Sequence, residues 1–216
     1  NKMMTLLLTM AEIKNGDLTL ESKVSVSKHA ESMGGSQVYL PAGIKIEIKK
    51  LLKAVAISSA NDASVALAEA VAGSENKFVE MMNNKAEELG LNNTNFTNAS
   101  GLPGGGQQLT TAGDILILSR HLLKYSSILK WTSTWVDYIK IKDREAMLVN
   151  TNKLIKKYPG VDGLRSGYTK AAGYNLVTTA KREKRRLVAV VMNCPSQETR
   201  QADSRQLLDY GFNSYE

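Results

Sequence analysis

Residues 63–72 constrain this chain more than any other segment, because they write a helix interrupted only by Ser64 and Glu69. A helix apolar nearly all round is stable only when other elements surround it. Its neighbours supply that cover. Before it, Ile48, Leu51, Leu52, Val55 and Ala56 recur at helical spacing. After it, Phe78, Met81, Met82, Lys85, Ala86 and Leu89 line one face of a third helix, which Ser74 is placed to cap and Gly90 to close. The two methionines are core filler in this pattern. The first two helices are separated by a break at 58–61.

Other elements frame that block. Residues 2–14 form an opening helix that stops at Asn15-Gly16, a good left-handed terminator. No capping residue precedes it, so upstream residues are expected to have been lost. Val24 and Val26 alternate with Ser25 and Ser27 as a short strand. A polar loop over 29–37 carries Gly34-Gly35, and Pro41-Ala42-Gly43 makes a turn. Residues 91–109 form a long surface connection rich in Asn, Thr and Gly. The sequons at Asn92, Asn95 and Asn98 are what that composition supplies by chance. Thr111 with Asp114 resembles a capping box for a helix ending near Tyr125. Segments 136–141 and 146–149 flank Asp143-Arg144 as one hairpin, and 174–180 with 187–192 make a second. An amphipathic helix over about 197–210 closes the chain. The order predicts one α/β (α+β) domain over 1–216, with a mostly antiparallel sheet flanked by helices and a mostly helical subdomain inserted at about 28–130.

Composition narrows the function classes. At 43% hydrophobic and 23% charged residues the chain is an ordinary soluble globular sequence. Its longest apolar runs, 6–10 and 187–192, fall far short of the roughly 20 residues a membrane span needs. Membrane association is therefore expected only through segments outside this chain. No signal peptide is visible, and since Asn1 is not an initiator Met, processing or truncation is open. The net charge of +7 raises a nucleic-acid reading, but the basic residues are scattered. The one dense cluster, Lys181-Arg182-Glu183-Lys184-Arg185-Arg186, sits between two strand-like runs as a solvated hairpin tip, a binding patch or an attraction to an anionic envelope surface. No nucleic-acid partner is expected. A lone Cys194, read as a small buried residue at a strand end, excludes an internal disulfide and a cysteine metal site. His29 and His121 are too few and too isolated for a metal cluster, so neither metal nor cofactor is expected.

Three short pieces carry chemistry when taken together. Ser59-Ala60-Asn61 lies at the break between two apolar helices, where Ser-x-Asn taken alone reads as a common capping sequence. Arg165-Ser166-Gly167 sets a cation, a hydroxyl and a glycine on a strand. Arg165 and Gly167 share one face there and Ser166 takes the other unless the strand bulges. Glycine at that place suggests a close approach to the backbone. The third piece is Lys2, whose i−3 position lies before Asn1.

This series resembles the three-motif signature of the serine penicillin-recognising enzymes: Ser-x-x-Lys, Ser-x-Asn and Lys-Thr-Gly. The flanks resemble one branch closely. Ile57-Ser58-Ser59-Ala60-Asn61-Asp62-Ala63-Ser64 is similar to its second-motif region, where Gly is usual in place of Ala60. Tyr158-Pro159-Gly160-Val161-Asp162-Gly163-Leu164 is similar to its lead-in to the third motif, and Ser100-Gly101-Leu102-Pro103 and Tyr210-Gly211-Phe212 match further landmarks. That branch is the low-molecular-mass D-alanyl-D-alanine carboxypeptidases.

The resemblance implies a β-lactamase/transpeptidase-like fold and an extracytoplasmic enzyme, at the outer face of the bacterial membrane or in the periplasm. It would remove the terminal D-alanine from peptidoglycan stem peptides through an acyl-enzyme and be inhibited by β-lactam antibiotics. By the same resemblance Lys2, Ser59 and Asn61 are catalytic, and Arg165, Ser166, Gly167, Tyr168 and Arg200 bind substrate. Tyr168 gives a backbone N–H to the oxyanion hole, and Arg200 helps hold the terminal carboxylate. The chemistry suits these residues. A neutral lysine can take a serine's proton, and burial beside a fixed cation pushes a lysine toward neutrality. A serine hydroxyl relays a proton because it donates and accepts at once.

Two departures stand out. The third motif is Arg-Ser-Gly rather than Lys-Thr-Gly, and arginine is larger and keeps its proton. The motif-one serine falls two positions before Asn1, outside this sequence. Two alternatives accompany the enzyme reading: a catalytically inactive peptidoglycan-binding homologue, and a β-lactamase. The Glu-x-x-Leu-Asn string of class A β-lactamases does not occur here.

Overall fold

The computed structural model describes residues 1–215. Helix α1 (Lys2–Asn15) ends at Gly16, whose φ of 90° turns the chain and lets its N–H reach the carbonyls of Glu12 and Ile13. Residues 3 to 10 of α1 are buried on every side, which makes it a central helix rather than a surface one.

Strand β1 (Lys23–Ser25) pairs antiparallel with β2 (Lys45–Glu47), and β2 runs straight into α3 (Ile48–Ser58). Between the strands the expected polar loop contains a helical turn, α2 (Lys28–Glu31), capped by Ser27. Four residues are too short to show a period, so the sequence pattern missed it. The helical block follows as read: α3, then α4 (Asn61–Ala72), then α5 (Glu75–Glu88). Helix α4 is the interior element its composition demanded, buried from Asn61 through Ala68. Ser74 caps α5 by accepting from the Lys77 N–H, and Phe78, Met82 and Ala86 face the core.

The connection over 91–109 folds back on itself, through an antiparallel bridge between Asn95 and Leu109. Helix α6 (Ala112–Leu122) is shorter than expected, and a further helix, α7 (Ser127–Thr132), follows it. The capping box is half formed. Thr111 accepts from the Asp114 N–H, but the Asp114 carboxylate turns to the Asn93 N–H and the Thr94 hydroxyl, tying down the start of that connection.

Strands β3 (Val136–Ile141) and β4 (Arg144–Val149) form the first hairpin. After the short α8 (Leu154–Lys157), strands β5 (Val161–Thr169), β6 (Gly173–Arg182) and β7 (Arg185–Cys194) make an antiparallel sheet in that order. Helix α9 (Gln197–Ser214) closes the described chain, one turn longer than its pattern suggested. The sheet divides two cores. Leu164 and Val177 face the helical layer, while Leu176, Ala180 and Val191 pack with Leu154, Leu208 and Phe212 on the α9 side. Adjacent residues 176 and 177 point opposite ways, as the pleat requires.

The basic cluster at the β6–β7 turn is more structural than a solvated tip. Arg182 lies 4.9 Å from the Tyr158 ring and 4.3 Å from the Phe212 ring. Arg186 forks onto both oxygens of Asp162 at 2.7 Å each, and Arg185 donates to the Phe212 carbonyl. Three of the cluster's cations thus lock the β6–β7 turn to α9, to β5 and to Tyr158. Cys194 is buried at the end of β7, as expected.

Candidate active site

The site forms where α3 ends. Helices α3 and α4 are joined by Ser59 and Ala60 alone. Ser59 takes a left-handed conformation, φ 66°, which closes α3 through N–H bonds from Ser59 to Val55 and from Ala60 to Ala54. A non-glycine residue holds that shape at a cost of about 1–2 kcal/mol. The capping reading of Ser-x-Asn does not hold: Ala60 occupies the N-cap of α4, and no side chain caps it. Ser59 instead aims its hydroxyl at Arg165.

Arg165 reaches across from β5 and is only 6% exposed. One terminal nitrogen donates to the carbonyls of Val55 and Ala56, and the other to Ser59 Oγ. These carbonyls end α3, where the aligned peptide dipoles present about half a negative charge. Among the described residues no carboxylate pairs with Arg165. Burial without a counter-ion lowers its guanidinium to about 10.

Lys2, at the start of α1, donates from Nζ to the Ser100 carbonyl at 2.5 Å. Burial, then the charge of Arg165, lowers its ammonium to about 7, with Asp62 acting weakly the other way. Near neutrality a substantial fraction of Lys2 is therefore free amine, able to take a proton.

Asn61 opens α4 and is almost wholly buried. Its Nδ2 donates to the Gly34 carbonyl at 2.7 Å, and its N–H to the Ser36 carbonyl at 2.7 Å. Its Oδ1 accepts no bond among the described residues, leaving one acceptor and one amide hydrogen for another molecule. Gly35 is needed beside it: φ is +71°, and a Cβ there would lie 2.9 Å from Asn61 Nδ2.

Strand β5 carries the rest. Ser166 Oγ donates to the Thr151 carbonyl at 3.1 Å. Gly167 is exposed, and a Cβ there would meet nothing within 4 Å, so the close approach its sequence suggested is not made by this chain and that face stands open. The exposed Tyr168 ring stacks on Tyr174 at 4.3 Å. Arg200, in the first turn of α9, is 6% exposed and lies 5.6 Å from the Tyr174 ring. It donates to the carbonyls of Gly167 and Asn175 at 3.3 Å each, and its buried Nε has no partner. Ser59 and Arg165 are thus joined by a hydrogen bond, Lys2 feels the charge of Arg165, and Asn61 follows Ser59 by two residues at the head of α4. Ser166, Gly167, Tyr168 and Arg200 follow along the strand and behind it.

Sequence reasoning passed over two supports. Asp62, fully buried, accepts from the N–H groups of Val38, Leu40 and Ala63, and so fixes the loop next to the one that holds Asn61. Its signal was an acid at the head of an apolar helix. The 98–102 segment, read as surface connection, supplies the carbonyl for Lys2, and its neighbour Ala99 accepts from Thr5 Oγ1 at 2.9 Å.

Residues 1–196 match the family described as D-alanyl-D-alanine carboxypeptidase. The chain belongs to that family. It is 47% identical over 216 residues to the carboxypeptidase DacF of Bacillus subtilis, covering 100% of this chain and 55% of that protein. The crystal structure of the carboxypeptidase DacD from Francisella tularensis is similar at TM-score 0.93 and 30% identity, over 100% of this chain and 64% of that one. A penicillin-binding protein of Listeria monocytogenes, solved in a cefotaxime-bound form, is similar at TM-score 0.86 and 30% identity, over 98% of this chain and 85% of that one. The chain spans about half the length of the curated relatives it matches. Among the described residues of this carboxypeptidase-family chain, no helix is long and apolar enough to cross a membrane.

Proposed function

We propose that this chain is the penicillin-binding catalytic domain of a serine D-alanyl-D-alanine carboxypeptidase acting outside the cytoplasm on peptidoglycan stem peptides. Residues from about 28 to 130 are its mostly helical subdomain, which carries Ser59 and Asn61. The observation that carries the reading is a lysine lowered to about 7 beside a buried arginine that touches the motif-two serine. A structural ion-pair network would pair each of these groups with a carboxylate; among the described residues neither Lys2 nor Arg165 has one within ion-pair distance, and the partly neutral lysine suits proton abstraction.

The nucleophile is assigned to a serine three positions before Lys2. Its hydroxyl proton passes to the Lys2 amine as its oxygen bonds to the penultimate D-Ala carbonyl. The C–N bond then breaks, and the leaving D-alanine takes the proton through Lys2 and Ser59. Water hydrolyses the ester by the reverse relay. Ser59 can serve because its oxygen already accepts from Arg165, which leaves its own hydrogen free to move. Asn61 orients the substrate amide, and the Tyr168 N–H stabilises the oxyanion, a contribution of about 3 kcal/mol in comparable sites. Ser166 and Arg200 bind the free carboxylate with the field of Arg165 behind them. β-Lactams acylate the same serine.

The complete gene product should release D-alanine from a soluble peptide ending in D-Ala-D-Ala and form a covalent adduct with a fluorescent penicillin. Arg165→Lys should keep labelling, while Arg165→Ala should label far more slowly. Peptide binding without release would favour an inactive binding homologue. An acyl group mapped by mass spectrometry to Ser59 would reverse the assigned roles.

A further inference from the structure

Away from the catalytic group, five of the chain's 28 basic residues meet around one concavity. The β1–β2 pair and the β3–β4 hairpin flank an open cleft of about 400 Å³, lined by Lys23, Lys45, Lys50, Lys140 and Lys142 with Glu47 as its acid. Glu47 is taken by Lys50 at 3.6 Å. Lys23, Lys45, Lys140 and Lys142 are exposed, and none has a carboxylate within ion-pair distance among the described residues. Glu145 stands across the ladder from Lys140 but closes no pair. Ile46 and Ile141, both buried, give the cleft a rigid floor. Four unpaired like charges around one concavity repel one another, and a multivalent anion relieves that repulsion.

The cleft has a fixed relation to the candidate site. Strand β2 leads directly into α3, whose far end is Ser59, so the two lie about 16 Å apart along one rigid helix. A polymer could occupy both, where a single short peptide end could not.

We propose that this cleft is a second binding site, for the carboxylates of neighbouring stem peptides on the same peptidoglycan polymer. The inference rests on the carboxypeptidase reading. Every uncross-linked stem ends in a carboxylate, so the polymer carries many anionic groups even where its sugars are neutral. The cleft raises the local concentration of stem ends at the catalytic group, in the manner of any tethered pair of sites. It acts on the polymer and leaves a soluble peptide unaffected.

The experiment uses the complete protein with Lys23, Lys45, Lys140 and Lys142 all changed to Glu. A control changes Lys14, Lys77, Lys130 and Lys184, exposed elsewhere, to Glu, so that both proteins carry the same net charge. A Lys→Gln set at the four cleft positions replaces the Glu set should the latter melt early. Binding to purified peptidoglycan and D-alanine release from it should fall at least about tenfold in the cleft variant and within about twofold in the control. Hydrolysis of a soluble D-Ala-D-Ala peptide should be unchanged in both. Wild-type binding should weaken steeply with salt, as the screening length drops from ~10 Å at 0.1 M to ~3 Å at 1 M. Peptidoglycan stripped of phosphate polymers should bind as before. Equal losses in cleft and control variants, undiminished polymer binding, or binding that vanishes with the phosphate would each overturn the proposal. A wild type inactive on the soluble peptide would refute the carboxypeptidase reading instead.

Discussion

Replacing Lys2 by Met tests the electrostatics of the site without any substrate. In the folded chain the ammonium is lowered from 10.5 to about 7, first by removal from water and then by Arg165. In the unfolded chain it keeps its proton to the ordinary value. Between those limits the unfolded state binds a proton that the folded state does not, so unfolding free energy rises with pH. The full difference of one proton is worth about 1.4 kcal/mol per pH unit. From pH 7 to 9 that gives at most ~2.5 kcal/mol, and because Lys2 keeps some contact with solvent a rise of about 1–2 kcal/mol is expected. For a domain of this size that is a Tm increase of about 3–6 °C. Below pH 7 both states hold the proton, the penalty is present in full, and the rise ends. The flexible Met side chain fills the same slot without a charge. Thermal melts of both proteins from pH 6 to 9.5 isolate the effect, since other titrating groups cancel in the difference. Parallel curves would show that Lys2 is an ordinary lysine and remove the physical basis for its role as a base.

Arg200→Ala should lower kcat/KM for a D-Ala-D-Ala peptide about ten- to a hundredfold, the worth of one charge-assisted bond, and barely affect a C-terminally amidated analogue. Equal losses on both substrates would assign Arg200 to holding the carbonyls of Gly167 and Asn175 in place. Asp62→Asn turns an amide donor toward the N–H groups of Val38 and Leu40 and should reduce stability to urea by about 2–3 kcal/mol. A loss below about 1 kcal/mol would mean that the loop can re-form its bonds elsewhere.

The long elements were legible because their signals are redundant. Helix α5 shows a three-four spacing, a serine cap and a terminal glycine at once, and all three agree with the structure. Helix α4 was readable from composition alone. The short helices α2, α7 and α8 were not, since none spans enough residues for a period to emerge. At the site the residue types were legible from the three short motifs, but their partners were not. Arg165 was expected to face substrate, and nothing in the sequence shows that its two terminal nitrogens turn to the end of α3. The partner of Lys2 is likewise a carbonyl 98 residues away, in a segment whose composition says only surface.

That preference for carbonyls has a consequence for how the site tolerates change. Lys2, Asn61, Arg165, Ser166 and Arg200 all anchor on main-chain oxygens, those of Ser100, Gly34, Val55, Ala56, Thr151, Gly167 and Asn175. Every amino acid carries such an oxygen, so the side chain at an accepting position can be exchanged without deleting the acceptor. The partner positions are free to drift, provided the chain keeps its course. Harm enters only where a substitution bends that course, as a side chain at Gly35 would by pressing on the Asn61 amide.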